Sequence, residues 1–272
     1  MSLLSTELLT VFLSPSRVLA VHWRGLPRRI VEMHSNQIAV RAGDDWAEML
    51  DAFAALLREV GSRRVRVILS AHFAHYQLVP WLDDLQDSEE ELAVVRLAFT
   101  KTFGDCAARW RISLSDDSPG RPRIAAAIDG ELFEAIKQSA QGAGVEVVSM
   151  QPYLSAAVNH WRAHFNRNDS RWLVLHEENR VCLALIEQGR WAWVRSLRVG
   201  ADWAEHLPEM LEHEMLLAGT GDFTAGVLVF APYQPLLALP AGTRMPFHSL
   251  VPETYPGFSS NDDSSYGLAL IG

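Results

Sequence analysis

An eight-residue segment occurs twice in this chain, and the repetition constrains the fold more than any other feature. Residues 43–50 read GDDWAEML and residues 200–207 read GADWAEHL, so six of the eight positions are identical. Each copy follows three short β-rich runs separated by turn residues and precedes a predicted helix. A match at the same place in the same order of elements predicts two related halves. The alternative, a convenient helix start used twice, stays open at this point.

The first half begins with a predicted three-stranded meander. Its β-rich runs span 8–13, 17–23 and 29–34, with Ser14-Pro15-Ser16 as a turn signal. A helix from about Trp46 to Val60 follows, with an aspartate placed to cap its start. The other elements predicted in this half are strands at 65–69, 76–81, 110–114, 124–128 and 145–150, a helix that starts at Ser88 with capping-box spacing, and helices at 130–140 and 153–165.

The second half repeats the meander. After a polar linker at 166–170, it has β-rich runs at 172–175, 180–186 and 191–199, separated by turns at 176–179 and 188–189. We therefore predict an α/β protein with a first lobe at 1–165 and a second, reduced lobe at 171–272. Residues 241–265, rich in Pro, Gly, Ser and Asp, are predicted to form a long loop.

The charge balance disfavours nucleic acid as a partner. The chain has 24 Lys and Arg against 33 Asp and Glu, a formal net charge of -9, which gives no overall attraction for a phosphate backbone. Arginines are nevertheless dense in two runs: Arg24, Arg28 and Arg29, and Arg63, Arg64 and Arg66. We predict that these runs are solvated faces, with a protein or membrane-surface contact as the alternative.

Neither a secretion signal nor a membrane span is predicted. The N-terminal residues have no basic leader, and no apolar run approaches the roughly 18 residues that a membrane span needs. We expect a cytoplasmic protein, peripheral at the inner face of the cell membrane, whose membrane contact is only indirect, through a partner.

No catalytic or metal-binding motif stands out. His72 and His75 lack a third ligand at fixed spacing and are expected on the surface. His206 and His213 belong to a predicted solvated helix face that includes Glu214, without the His-Glu-x-x-His spacing of zinc helices. We therefore predict no catalytic residue and no metal site.

The cysteines and tryptophans are assigned mainly to the core. Cys106 and Cys182 each lie in an apolar stretch, which predicts buried free thiols in a reducing compartment. Most of the nine tryptophans are predicted to fill the sheet–helix core, including Trp46 and Trp203 at matching helix starts. An aromatic groove for a partner peptide is the alternative for some of them.

Two further segments point to a known superfamily. Residues 76–81 (YQLVPW) are similar to the strand and Pro-Trp corner of secretion-platform proteins, and residues 266–270 (YGLAL) are similar to the terminal helix of PilM-type chains. With the duplicated meander and helix, they resemble the actin-like ATPase superfamily, in its branch of pilus-assembly PilM proteins and GspL cytoplasmic domains. The resemblance implies two RNase H-like lobes with mixed sheets and flanking helices.

The resemblance also directs attention to the first turn of each meander. In active members of the superfamily these turns carry an aspartate and glycines, which hold the phosphates and the metal–water shell of a nucleotide. The candidate degenerate phosphate loops here contain Ser14, Ser16 and Arg17, and His176, Glu177 and Asn179. Pro15 also removes a donor amide from the first turn. We expect no bound cofactor, with ATP and magnesium as the alternative.

These expectations combine into a functional hypothesis. The resemblance implies a non-catalytic cytoplasmic scaffold of a type IV pilus-like or type II secretion-like assembly, which binds the short cytoplasmic tail of an inner-membrane partner. One alternative is a nucleotide-binding ATPase or kinase with diverged phosphate loops. Another is a structural homo-oligomer of the polymerising actin type.

Overall fold

The computed structural model describes residues 7–38, 46–82, 87–165, 169–219, 226–234, 237–240, 244–253, 255–258 and 264–272. The chain forms two compact units: the first comprises Met1–Ala74, Gly130–His160 and Val251–Gly272, and the second comprises His75–Asp129 and Trp161–Leu250. The predicted lobes, 1–165 and 171–272, are each one continuous stretch of chain. Each compact unit is instead assembled from two or three separate stretches. The lobe boundaries therefore stay a prediction.

The strands and helices are numbered in chain order. The strands are β1 (Leu8–Leu13), β2 (Arg17–Arg24), β3 (Arg29–Gln37), β4 (Arg64–Leu69), β5 (Ala74–Val79), β6 (Trp110–Leu114), β7 (Arg123–Asp129), β8 (Glu146–Pro152), β9 (Ser170–Glu177), β10 (Arg180–Glu187), β11 (Arg190–Arg198), β12 (Gly226–Phe230) and β13 (Phe247–Ser249). The helices are α1 (Ala47–Val60), α2 (Ser88–Phe103), α3 (Gly130–Gly142), α4 (Tyr153–His160), α5 (Leu207–Ala218) and α6 (Gly267–Leu270).

The first unit is built on a mixed sheet of strand order β3-β2-β1-β4-β8. Strands β1, β2 and β3 are antiparallel, which confirms the predicted meander, and β4 runs parallel to β1 with Leu9 beside Val65. Every residue of β1 is buried because this strand lies in the centre of the sheet. Helix α1 buries Met49 and Phe53 in the same core.

The second unit contains a sheet with the same arrangement. Its order is β11-β10-β9-β12-β13, with an antiparallel meander and with β12 parallel to β9. Each meander is thus followed by a helix and then by a strand parallel to the first, which confirms the predicted duplication. The second unit also contains a smaller sheet of order β5-β7-β6, which packs with α2 around Phe99 and Trp110.

The two copies of the repeated segment differ in local structure. Helix α1 begins at Ala47, directly after Trp46, whereas Trp203 lies in a run of turns and α5 begins only at Leu207. The prediction of matching helix starts is therefore wrong for the second copy. Pro208 lies in the first turn of α5. Amides in the first turn have no acceptor within the helix, so a proline without an N–H is tolerated there. The aspartate predicted to cap α1 lies outside the described residues.

Three further local predictions are wrong. The cap of α2 is Asp87 rather than Ser88, because its Oδ1 accepts the amides of Glu89 at 2.8 Å and Glu90 at 2.9 Å. Helix α4 ends at His160 and is followed by a 3-10 turn instead of continuing to residue 165. Cys106 is exposed, since it lies in a short 3-10 helix after α2, whereas Cys182 is buried as predicted.

Candidate functional site

The turn between β1 and β2 is closed by its own polar groups. The Ser14 amide donates to the Arg17 carbonyl at 3.0 Å, and the Ser14 hydroxyl donates to the same oxygen at 3.1 Å. The Ser16 carbonyl accepts the Ile38 amide at 2.7 Å, and the Ser14 side chain is buried. The hydroxyl of Ser14 is thus committed to the turn and is not directed towards a ligand.

The Arg17 guanidinium holds the C-terminal segment in place. Its Nη1 donates to the Ser265 hydroxyl at 3.0 Å, and Ser265 is fully buried at the start of the last helical segment. The residue chosen from the sequence as a phosphate contact is therefore bound to the chain itself. This bond uses one of the N–H donors of the guanidinium within the fold.

The corresponding turn of the second unit is shorter than predicted. His176 and Glu177 belong to β9, so that only Glu178 and Asn179 form the turn. Glu178 has a positive φ of 46°, which allows a two-residue hairpin turn. The Asn179 carbonyl accepts the Val199 amide at 2.9 Å, which fixes the turn to the end of β11. The prediction of a four-residue turn at 176–179 is wrong.

Two ionisable side chains are buried where β9 ends. His176 and Glu177 are each only 2% exposed. Burial lowers the pKa of His176 to about 4, against an opposing contribution from the backbone of Glu178. Burial also lowers the pKa of Arg180, whereas Glu177 raises it. The pKa of the Cys182 thiol is raised, first by burial and then by Glu177, so this thiol is not a nucleophile.

His176 links the end of β9 to the second copy of the repeat. Its ring stacks on Trp203 with the centroids 4.4 Å apart and the planes 9° from parallel. The indole Nε1 of Trp203 donates to Gln234 Oε1 at 3.0 Å. Gln234 follows β12, where its amide donates to the Ala231 carbonyl at 2.9 Å. Trp203 stands out in the sequence because its segment is repeated, whereas nothing in the sequence points to Gln234.

An open cavity of about 490 Å³ lies beside the second copy of the repeated segment, within the second unit. Its lining is Ala201, Asp202, Ala204, Glu205, Gln234, Leu237 and Ala238. The two carboxylates give the rim negative charge, and the small apolar side chains leave room beside it. Such a rim repels a polyphosphate and attracts a cationic group.

The histidines whose spacing was considered for a metal site do not form one among the described residues. His75 is not a surface group as predicted: it stacks on Trp110 with centroids 4.2 Å apart, and burial lowers its pKa to about 4. His206 and His213 are exposed as predicted, but Glu214 beside them is buried. Within the part of the chain that the structure describes, no group of three or more His, Cys, Asp or Glu side chains could hold a metal ion.

Comparisons with known proteins find similarity in structure but not in sequence. Neither models of protein families nor curated protein sequences match this chain. A solved structure described as the PilM-PilN type IV pilus biogenesis complex matches with a TM-score of 0.68 and 16% identity over 97% of both chains. The cytoplasmic domain of EpsL from Vibrio cholerae, an inner-membrane component of the type II secretion system, matches with a TM-score of 0.61 and 13% identity over 97% of this chain and 94% of that chain.

A third similar structure carries the name of the fold. It is a Bacteroides thetaiotaomicron protein described as having an actin-like ATPase fold and unknown function, with a TM-score of 0.61 and 9% identity over 84% of this chain and 82% of that one. The chain therefore has the actin-like α/β fold that its sequence predicts. No helix formed by the described residues is long and apolar enough to cross a bilayer.

Proposed function

We propose that this chain is a non-catalytic scaffold of a type IV pilus-like or type II secretion-like assembly, which binds the cytoplasmic tail of an inner-membrane partner. Support comes from the likeness to the PilM-PilN complex and to the EpsL domain, which extends over 97% of this chain in both cases. A shared fold does not carry a function by itself. The proposal therefore depends on the chemistry of the two turns and of the cavity.

The observation that carries the non-catalytic part is the bond between Arg17 and Ser265. In this turn the only cationic side chain serves the fold, and Pro15 replaces a donor amide. At the second turn, Glu178 in the turn and Glu177 at the end of β9 are both acidic, where a nucleotide would bring its own negative charge. Both arrangements argue against ATP with magnesium and favour a protein ligand.

The cavity beside Trp203 is the proposed contact for the partner's tail. Short cytoplasmic segments next to membrane spans are rich in Lys and Arg. Asp202 and Glu205 at the rim complement such a cationic side chain, and the alanines and Leu237 accommodate its aliphatic stem. The occupant is therefore a basic peptide of extended or irregular conformation.

The nucleotide part of the proposal is tested by thermal unfolding with and without magnesium-ATP. A ligand at about 100 times its dissociation constant adds about 2.7 kcal/mol, which corresponds to a rise in Tm of about 5–10 °C for a chain of this size. We expect no rise. A rise of several degrees that Glu177→Ala removes would instead establish a nucleotide-binding protein with diverged loops.

The peptide part is tested by fluorescence polarisation with synthetic cytoplasmic tails of single-span inner-membrane proteins from the same organism. We expect one basic tail to bind, and the double change Asp202→Asn with Glu205→Gln to weaken its binding about fivefold or more. The matched control is Glu59→Gln with Glu212→Gln, which removes the same charge from exposed positions outside the cavity. Equal weakening by both double changes would contradict the cavity as the contact.

A further inference from the structure

The two arginine runs noted in the sequence lie at the same end of the first unit's sheet. Arg24 ends β2, Arg28 lies in the turn that follows and Arg29 begins β3. Arg63 and Arg64 stand where β4 begins. In the sheet, Leu8 at the start of β1 lies beside Trp23 at the end of β2, and Leu9 lies beside Val65 of β4. Because β1 and β4 are parallel, both runs lie at the end of the sheet where these two strands start. We call these five arginines the arginine edge.

Like charges are close together along the arginine edge. Arg24 and Arg29 are direct cross-strand neighbours, an arrangement that costs stability unless a counter-charge is present. The pKa of Arg66, the next arginine along β4, is lowered by burial and by the charges of Arg28 and Arg64. The first unit thus holds concentrated positive charge although the chain as a whole has a net charge of -9.

The acidic neighbours compensate only part of this charge. Glu7 forms an ion pair with Arg24, and Glu146 Oε2 lies 3.9 Å from Arg64 Nε. Glu32 lies on β3. Burial and then Glu253 raise the pKa of Tyr255, and Arg28 lowers it, so Glu253 and Arg28 both lie near this side chain. Among the residues that the structure describes, Arg28, Arg29 and Arg63 form no ion pair, and all three are exposed.

An exposed apolar residue lies in the β2–β3 turn, between Arg24 and Arg28 in the sequence. Leu26 stands at the tip of the β2–β3 turn and is 83% exposed, more than any other exposed large apolar side chain among the described residues. Pro27 beside it is also exposed. An apolar side chain surrounded by arginines is the combination that enters the headgroup region of an anionic membrane, where burial of the apolar group and charge attraction add.

We propose that the arginine edge docks on the surface of an anionic phospholipid bilayer, with Leu26 entering the headgroup region and the arginines binding lipid phosphates. The exposed leucine favours a bilayer over nucleic acid, whose phosphate backbone offers no apolar phase to receive it. The rest of the chain, which carries the excess of acidic residues, is repelled by the same membrane. Attraction at one edge and repulsion elsewhere give the protein a defined orientation on the membrane.

The test is co-sedimentation of the full chain with vesicles of phosphatidylcholine alone or with about one third phosphatidylglycerol. We expect binding to the anionic vesicles only, and weaker binding as the salt concentration rises. Each basic residue near such a surface contributes roughly fivefold in affinity, so Arg28→Glu with Arg64→Glu lowers binding at least about tenfold. Leu26→Ser lowers binding several-fold. This change costs little folding stability because Leu26 is exposed.

The matched control is Arg162→Glu with Arg190→Glu, which changes the net charge equally at exposed positions of the second unit. We expect it to bind anionic vesicles nearly as well as the unchanged protein. The proposal is overturned if the control loses binding as strongly as the edge variant, if neutral vesicles bind equally well, or if Leu26→Ser has no effect. Preferential capture of a DNA duplex over anionic vesicles by the arginine edge would also overturn it. Circular dichroism confirms that each variant is folded.

Discussion

His176 stacks face to face on Trp203, with ring centroids 4.4 Å apart, at the point where β9 ends. In the actin-like fold this point lies next to the turn that holds phosphates in active members of the superfamily. Here both rings are buried, and the indole N–H is bound to Gln234. The stack therefore packs two buried rings next to the β9–β10 turn and joins β9 to the repeated segment that contributes Asp202 and Glu205 to the cavity.

Removing Trp203 is expected to destabilise the protein far more than removing its repeat counterpart Trp46. Trp203 is 2% exposed and makes a hydrogen bond to the part-buried Gln234, so Trp203→Ala creates a cavity and removes the donor to the Gln234 amide oxygen. We expect a loss of about 3–5 kcal/mol in the free energy of unfolding. Trp46 is only half-buried, and Trp46→Ala should cost clearly less. Urea denaturation of the two variants measures both, and equal losses would contradict the different burial of the two copies.

The buried imidazole of His176 makes stability depend on pH. Its pKa is lowered to about 4 in the folded protein, whereas an unfolded histidine has a pKa of about 6.5. Between these values the unfolded state binds more protons, so the free energy of unfolding is highest above about pH 6.5 and falls as the pH falls towards 4, by on the order of 3 kcal/mol in full. His75, with a pKa also lowered to about 4, acts in the same direction.

The change His176→Phe keeps a ring against Trp203 and removes the titration. Urea denaturation at about pH 7.5, 6 and 5 should therefore show a shallower loss of stability than in the unchanged protein, with His75 still contributing. His164→Gln, which replaces an exposed histidine, is the matched control. An unaltered profile in His176→Phe would mean that folding does not lower the pKa of this imidazole.

The order of strands and helices along the chain was predictable because its signals are local. Runs such as 8–13 and 180–186 alternate with turn residues, and the repeated segment shows that the same series of elements occurs twice. Boundaries that depend on a single side chain were less predictable. His176 and Glu177 look like turn residues because they are polar, yet both continue β9, since tertiary packing buries them.

The environment of the candidate site could not be predicted, because its contacts join distant parts of the chain. Arg17 and Ser265 come from the second strand and the last helical segment, and nothing in either local sequence indicates the other. Asp202 and Glu205 resemble any solvated pair until Gln234 and Leu237 complete a cavity around them. The absence of glycines from the candidate phosphate loops was visible in the sequence, but the hydrogen bond from Arg17 to Ser265 was not.

The bond between Arg17 and Ser265 should appear as an energetic coupling. We expect the changes Arg17→Ala and Ser265→Ala each to destabilise the protein, and the double variant to lose about 1 kcal/mol less than their sum. Unfolding by urea of the four proteins gives this double-mutant cycle. Strict additivity would show that Arg17 does not anchor the C-terminal segment, and would make the guanidinium available to a phosphate.

Glu214 should be the acidic residue on α5 whose neutralisation costs most. It is 2% exposed, its Oε2 accepts Trp193 Nε1 at 2.9 Å, and its Oε1 lies 3.3 Å from Arg195 Nη1, so it ties α5 to β11. Glu214→Leu leaves the part-buried indole N–H and the guanidinium without their acceptor, at a cost of about 2–3 kcal/mol.

The conservative change Glu214→Gln separates charge from hydrogen bonding, because an amide oxygen still accepts from the indole. We expect it to cost about half as much as the leucine. Glu212→Gln, at an exposed position on the same helix, is the matched control and should change the free energy of unfolding by less than about 0.5 kcal/mol. If Glu212→Gln and Glu214→Gln were equally mild while Glu214→Leu remained costly, the glutamine oxygen would fully replace the carboxylate, and the ion pair with half-exposed Arg195 would contribute nothing.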